Sequence, residues 1–447
     1  MSLDIVLAVV GALAAVVAAL SARIRRMPVS EPLLGLLAGV ALGPQVTAAL
    51  ELPSLVDDHT LMHEAARILL AVSVMAVALR YPIASVRRRW RQVTLLLLVA
   101  LPAMALVTGA LGWALLGLPV AAAALVGAAL APTDPVLAAS VVTGDPAERD
   151  LPAHDRQLLS LESGANDGLA LPLVVAAIAV AGPLTGSSAV AESVWQVVGG
   201  VVLGLAAGWV GGRALRLGEE HGATASGPVL LFTLVLALGV LGLSGLLKVD
   251  GVLAVFVAGL AFNAASTGNE RVGEVSIDEA VNRFAVLPLF LLLGATLPWQ
   301  HWAELGWRAP VLALGVLALR RLPVLLLLKR PLGLGTADVV YLGWFGPVGV
   351  SALFYLTLEA ERLPLEPTLL AAGSLVVVAS TVAHALTGAP GRVLFRRAVS
   401  GRAGQQPPPS LGTDGGDHLA DGDPPDVGRP EVTVDEPQDH PEPGSGG

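Results

Sequence analysis

Thirteen apolar stretches follow one another through the first 395 residues of the 447-residue chain, near residues 3–20, 28–47, 65–85, 92–116, 120–143, 158–181, 193–215, 227–247, 250–264, 279–297, 309–328, 336–358 and 367–388. Most approach the length of about 20 residues that an α-helix needs to cross roughly 30 Å of hydrocarbon. No water is available in that layer to satisfy backbone amides, so such runs resolve into helices that make every backbone bond internally. Composition agrees, with 54% of residues apolar and 14% charged, against about a quarter charged in a soluble domain. The predicted fold class is an all-α integral membrane protein of about 13 transmembrane helices, which excludes an ordinary soluble enzyme. With no cysteine in the chain, disulfides, thiolate nucleophiles and cysteine-ligated metals are excluded too.

The first stretch has Asp4 ahead of it and Arg23, Arg25 and Arg26 behind. A cleaved leader begins with basic residues instead, so this stretch is read as an anchor inserted N-terminus outward, with cleavage near residues 18–22 as the alternative. Thirteen spans starting outside place the C-terminal end in the cytoplasm. The predicted cytoplasmic loops up to Arg397 carry 19 basic residues and the predicted outer loops three, Lys248, Arg308 and Arg362, the asymmetry that orients membrane proteins. Two domains are expected, a transmembrane domain over 1–395 and an acidic cytoplasmic tail over 396–447. From residue 401 onward ten acids stand against Arg402 and Arg429. So few large apolar residues accompany them that burial cannot offset the entropy of ordering, and the tail is read as a disordered tether.

Two of the stretches are interrupted. The fifth contains Ala131-Pro132-Thr133-Asp134-Pro135, and the twelfth Gly343-Trp344-Phe345-Gly346-Pro347-Val348-Gly349. They lie seven stretches apart, which gives them opposite orientations in the membrane and fits two inverted six-helix repeats, stretches 1–6 and 8–13. Irregular backbone survives at membrane depth only where protein or a water-filled cavity satisfies it. Paired interruptions in two halves mark a transporter's binding site; two proline-kinked helices in a bundle that transports nothing are the alternative.

An ionised side chain at mid-bilayer costs about 2.5 to 3.5 kcal/mol on the lenient insertion scale, so the charged residues deep inside the stretches stand out: Asp134, Glu162, Asp167, Arg320 and Arg321, whereas Glu31 and Asp338 lie close enough to span ends to be solvated. In the sixth stretch Glu162 lies over Asn166 and Ser163 over Asp167, since residues four apart share a helix face. That arrangement offers a hydroxyl and a carboxylate to a small ion. A carboxylate removed from water needs a counter-charge, and a proton and a metal ion compete for one pair of oxygens, which yields exchange without covalent chemistry. A structural hydrogen bond to a neighbouring helix is the alternative for Asp167. A buried guanidinium requires a carboxylate, which makes Glu162 the natural partner of Arg320 or Arg321; alternatively both arginines snorkel toward Lys329 and Arg330. Thr133, at the first break, is a candidate ion ligand, whereas Asp134 is read mainly as satisfying freed amides, with direct ion contact left open. His384 is read as a hydrogen-bonded core histidine rather than a proton relay.

These segments resemble the monovalent cation/proton antiporters, specifically the sodium/proton exchangers that include the fungal plasma-membrane antiporters and bacterial relatives. The likeness rests on Thr133-Asp134-Pro135-Val136-Leu137-Ala138, Glu162-Ser163-Gly164-Ala165-Asn166-Asp167-Gly168, Arg320-Arg321-Leu322-Pro323 and Gly343-Trp344-Phe345-Gly346-Pro347-Val348-Gly349-Val350. It covers residues 1–395, in order. The resemblance implies a homodimer, a mobile core around spans 5, 6, 12 and 13 in which the broken helices cross, and a dimerisation scaffold. It further implies that Asp167 binds the cation and the proton, that Asn166 supports it, that Ser163 and Thr133 are further Na⁺ ligands, and that Glu162 pairs with an arginine matching Arg320. Two departures stand out: many bacterial exchangers of this class carry an acidic ligand in the third span where this chain has Val74-Met75-Ala76-Val77-Ala78-Leu79, and exchangers related to the animal proteins carry an arginine where this chain has Val348.

The expected function is secondary active antiport of sodium or lithium against protons in the cell membrane. No enzymatic activity, no cofactor and no nucleic-acid partner are expected. A channel or ion-sensing membrane protein using the same carboxylates, and potassium/proton exchange, are the alternatives. An intramembrane hydrolase is a more distant one, since Ser163 and Asp167 have no histidine near them in sequence.

Overall fold

Twenty α-helices and no strand make up the described residues of the computed structural model, which are 3–24, 29–80, 83–182, 185–221, 229–265 and 284–403. In chain order they are α1 (Leu3–Ile24), α2 (Glu31–Leu42), α3 (Thr60–Arg80), α4 (Ile83–Leu95), α5 (Leu101–Leu116), α6 (Val120–Ala129), α7 (Pro135–Val142), α8 (Gly144–Asp150), α9 (Ala153–Leu169), α10 (Leu171–Ala181), α11 (Gly186–Glu220), α12 (Val229–Leu247) and α13 (Gly251–Ala265). They continue as α14 (Val286–Ala295), α15 (Trp299–Leu305), α16 (Arg308–Leu319), α17 (Leu322–Leu332), α18 (Thr336–Trp344), α19 (Val350–Arg362) and α20 (Pro367–Ala403). A π-helical turn, Leu96–Ala100, joins α4 to α5.

The described part of every predicted stretch falls on one of these helices or on a consecutive pair. By length and composition, six helical runs among the described residues can cross a membrane: Thr60–Arg80, Ile83–Leu116, Ala153–Ala181, Gly186–Gly218, Arg308–Leu332 and Pro367–Val399. The other apolar helices are shorter. Residues 266–283, where the tenth stretch was expected to begin, and 404–447, most of the expected tail, lie outside the described residues.

Proline sets several of the boundaries. It stands at the first turn of α2, α5, α7, α10 and α17, where its missing N–H costs no hydrogen bond. Gly117 and Gly333 end α5 and α17 at φ +68° and +67°, the left-handed conformation that an L side chain resists. Small residues then let the helices approach. Gly39 on α2 and Gly294 on α14 each meet backbone of the other helix where a Cβ would stand, and Gly204 and Gly208 on α11 do the same against α13. In lipid, association rests on such contact rather than on hydrophobic expulsion.

Two boundaries differ from the sequence expectation. The eleventh stretch, expected as one helix over 309–328, is interrupted at Arg320-Arg321 and restarts as α17, because Pro323 cannot donate to the carbonyl four residues before it. The last helix passes the expected 395/396 domain boundary and ends at Ala403. Phe395 is buried against Tyr341 there, and Arg396 pairs with Asp150 at 2.8 Å, so packing carries the helix into the predicted tail.

Candidate functional site

The two broken segments meet. The Asp134 N–H donates to the Pro347 carbonyl at 3.0 Å, and the positions where a Cβ would stand on Gly349 and Gly346 are occupied by Asp134 and Arg321. Each break leaves a helix C-terminus with unmatched carbonyls and a helix N-terminus with unmatched amides. One acidic and one basic side chain serve both pairs of ends.

Asp134 takes the amides. Its Oδ1 accepts the N–H groups of Val136 at 2.6 Å and Leu137 at 3.1 Å, at the N-terminus of α7. Its Oδ2 accepts the N–H of Val350, at the start of α19. Two helix dipoles therefore present their positive ends to one carboxylate. Arg320 takes the carbonyls. Its Nη1 donates to Leu130, Ala131 and Pro132 at 3.0, 2.7 and 3.0 Å, just past the end of α6, and its Nη2 donates to Gly346, just past the end of α18.

Glu162 pairs with Arg321, not with the Arg320 that the family pattern implied. Arg321 Nη1 and Nη2 each donate to one Glu162 oxygen at 2.6 Å, and Arg321 Nε donates to the Leu342 carbonyl at 2.9 Å. Both guanidinium groups are buried, with Arg320 3% and Arg321 2% exposed, so neither snorkels. The chain is broken between α16 and α17, and the two adjacent arginines diverge there, one to the backbone breaks and one across to α9.

The remaining predicted residues form a second layer. Asn166 Nδ2 donates to Thr133 Oγ1 at 2.8 Å and to Glu162 Oε1 at 3.3 Å, while its Oδ1 accepts the Thr133 N–H at 3.3 Å. The hydroxyls of Thr133 and Ser163 are 3.0 Å apart and share a hydrogen bond. Thr133, Ser163, Asn166 and Glu162 are thus one network. Ser163, expected beside Asp167 on one face of the helix, turns its hydroxyl to Thr133 instead.

Asp167 stands apart from that network. It is fully buried, and neither carboxylate oxygen has a hydrogen-bond partner among the described residues. The Ser351 side chain in the first turn of α19 faces it, with its buried hydroxyl outside ordinary hydrogen-bond geometry to any described residue. The Asp167 backbone carbonyl accepts the Tyr355 hydroxyl. Sequence reasoning passed over Ser351 and Tyr355. Their signal was spacing: placed four apart on α19, they share a face one turn beyond the second break. His384 braces the same break, with Nε2 2.8 Å from the Trp344 carbonyl and Nδ1 2.7 Å from that of Ser380, whose hydroxyl accepts the Val348 N–H at 2.9 Å.

Close packing holds α9 in place. A Cβ on Gly164 would meet Phe256 and Val77, and one on Gly168 would meet Leu253, so α13 and α3 lie directly on the row opposite the charges. The third helix contributes apolar contact here, in keeping with its lack of an acid between Val74 and Leu79.

The profile of the transmembrane sodium/hydrogen exchanger family matches residues 11–390. A Na(+)/H(+) antiporter 2 of Zygosaccharomyces rouxii is 33% identical over 349 residues, which cover 75% of this chain and 43% of that protein. A Na(+)/H(+) antiporter of Saccharomyces cerevisiae is 32% identical over 321 residues, 69% of this chain and 32% of its own length. The chain therefore spans less than half the length of either relative. Among solved structures, that of the sodium proton antiporter MjNhaP1 from Methanocaldococcus jannaschii at pH 8 superposes with a TM-score of 0.69 over 89% of this chain and 100% of that one, at 19% identity, which shows a common fold. The chain belongs to the transmembrane sodium/hydrogen exchanger family.

Proposed function

We propose that this protein is a secondary active antiporter that exchanges sodium or lithium for protons across the cell membrane, with both substrates competing for Asp167. The observation that carries the proposal is the contrast between the two aspartates at the crossing. Both are fully buried, but Asp134 spends its oxygens on three backbone amides, whereas both Asp167 oxygens are unpartnered among the described residues. A buried carboxylate without a protein partner is high in free energy unless a proton or a cation neutralises it. Such a group releases one only as it takes up the other.

The surrounding network supplies supporting oxygens. The Thr133 and Ser163 hydroxyls and Ser351 offer the hard, uncharged ligands that alkali ions accept. Sodium passes through the site as substrate and is not a resident metal. Glu162 and Arg321 neutralise each other and hold α9 against α17, which leaves Asp167 as the group that changes charge. A single exchangeable carboxylate implies one proton per cation. The protein works as a homodimer, on this reading, with the N-terminus outside, the C-terminus in the cytoplasm, and a core of spans 5, 6, 12 and 13 moving against a scaffold to expose the site alternately to each face.

The test uses the full chain in proteoliposomes with an internal pH dye. External sodium or lithium is expected to drive protons outward against their gradient, and potassium tested in the same way reads out selectivity. Lowering the pH is expected to raise the half-saturating sodium concentration, because protons compete for the same oxygens. Asp167→Asn is expected to abolish exchange without lowering the melting temperature; full transport by that variant, or cation uptake without counter-movement of protons, would refute the assignment.

A further inference from the structure

A cavity of about 240 Å³ lies among α3, α11, α19 and the junction of α12 with α13. Its rim carries the exposed Glu361 and Arg362, and its wall includes His63 and Phe354. Asp250, at the junction, is 4% exposed and lines it. The Asp250 Oδ1 accepts the Leu253 N–H at 2.9 Å and so caps α13. The second oxygen, Oδ2, is buried and has no hydrogen-bond partner among the described residues. Capping explains one oxygen and leaves the other.

Charge around the cavity favours a cation. Arg67 is matched by Glu64 at 3.1 Å and Arg362 by Glu192 at 2.5 Å, while Glu361 faces His63 at 3.6 Å. The matched pairs cancel, and the carboxylates of Asp250 and Glu361 remain in excess. No group of three or more His, Asp or Glu among the described residues could hold a metal ion, so one free carboxylate oxygen beside neutral Ser244 and Gln196 suits a monovalent cation or a proton, not a tightly held divalent ion. One residue separates the cavity wall from Asp167. Phe354 lines the cavity, and the next residue, Tyr355, donates its hydroxyl to the Asp167 carbonyl.

We infer that this cavity is the vestibule by which the monovalent cation or proton reaches Asp167 from the face carrying Lys248 and Arg362, and that Asp250 is its binding carboxylate. This rests on the antiport reading for its final step, delivery past Tyr355, but not for the binding itself.

The chain has no cysteine, so one thiol introduced at Leu358, which lines the cavity, reports on it alone. The full-length Leu358→Cys protein in proteoliposomes is treated with membrane-impermeant methanethiosulfonate reagents bearing either a trimethylammonium or a sulfonate group. Relative to a free thiol, the cationic reagent is expected to react about 10-fold faster, because an acidic cleft concentrates cations. Adding Asp250→Asn, which retains a capping oxygen for α13, is expected to remove most of that preference with little change in melting temperature. An unreactive thiol, or a preference that survives Asp250→Asn, would overturn the vestibule. In transport, Asp250→Asn is expected to raise the half-saturating cation concentration about 10-fold from that face only; an equal rise from both faces would also overturn it. A Leu358→Cys protein that shows the labelling preference, beside a wild-type protein that exchanges no cation for protons, would sink the antiport reading and leave the vestibule standing.

Discussion

Arg320 and Arg321 are adjacent in sequence yet do different work. Glu162 and Arg321 form a two-pronged ion pair between buried groups, the arrangement that the planar guanidinium favours and an ammonium cannot match. Removing either partner strands a buried charge at a cost of about 3 to 5 kcal/mol, whereas removing both together costs far less. A double-mutant cycle on detergent melting is therefore expected to couple Glu162→Leu with Arg321→Leu by about 2 to 3 kcal/mol, and to show weak coupling between Glu162→Leu and Arg320→Leu. The opposite pattern would restore the pairing that the family motif implied. The need for an arginine beside Glu162 was legible from the sequence, because a carboxylate that deep requires one. Which arginine was not, because the direction of each side chain depends on the break between α16 and α17, at the arginines themselves, that Pro323 introduces. The free state of the Asp167 oxygens was likewise out of reach, since it depends on Ser163 turning toward Thr133.

At the scale of elements, four half-helix ends converge and two side chains neutralise them: Asp134 for the N-termini of α7 and α19, Arg320 for the C-terminal carbonyls of α6 and α18. The interruptions themselves were legible, because Pro132, Pro135 and Pro347 forbid continuous helix. Their crossing was not, because it needs helices more than 200 residues apart in sequence to meet, as Asp134 and Val350 do with a separation of 216. If Asp134 is first a double cap, Asp134→Ala leaves several buried amides unsatisfied, each at about 1 to 3 kcal/mol. Asp134→Asn turns an N–H donor toward one of the same amides. Both variants are expected to melt well below the wild type and to lose exchange. An Asp134→Asn protein with unchanged Tm and no transport would make Asp134 an ion ligand instead. Close approach gives a second prediction. Gly168→Ala sets a methyl group against Leu253, and overpacking of this kind costs about 1 to 3 kcal/mol, so its melting temperature is expected to fall even though no charge changes.

For the molecule as a whole, packing follows the expected repeat. Advancing each stretch by seven carries the second into the ninth, the third into the tenth, the fourth into the eleventh and the fifth into the twelfth, and the same shift runs in reverse. The second packs on the tenth, α2 on α14, and the ninth on the third, α13 on α3, so the shift maps one contact onto the other. It maps the fourth-on-fifth contact, α5 on α6, onto the eleventh-on-twelfth contact, α17 on α18, and it leaves the fourth-on-eleventh contact, α5 on α16, where it is. A two-fold relation of this kind supplies two equivalent arrangements of one core, which alternating access requires. On the proposed antiport mechanism α19 slides along α3, and the hydrogen-bonding contact between His63 Nδ1 and Thr357 Oγ1, 3.0 Å apart, belongs to one arrangement only. In the naturally cysteine-free chain, His63→Cys with Thr357→Cys can be bridged by oxidation or by a short bifunctional methanethiosulfonate linker. Exchange in proteoliposomes is expected to stop when the bridge is complete and to return on reduction, while each single variant capped with a small monofunctional reagent keeps transporting. A fully bridged protein that still exchanges ions would show that α3 and α19 move as one body and would place the sliding surface elsewhere in the bundle.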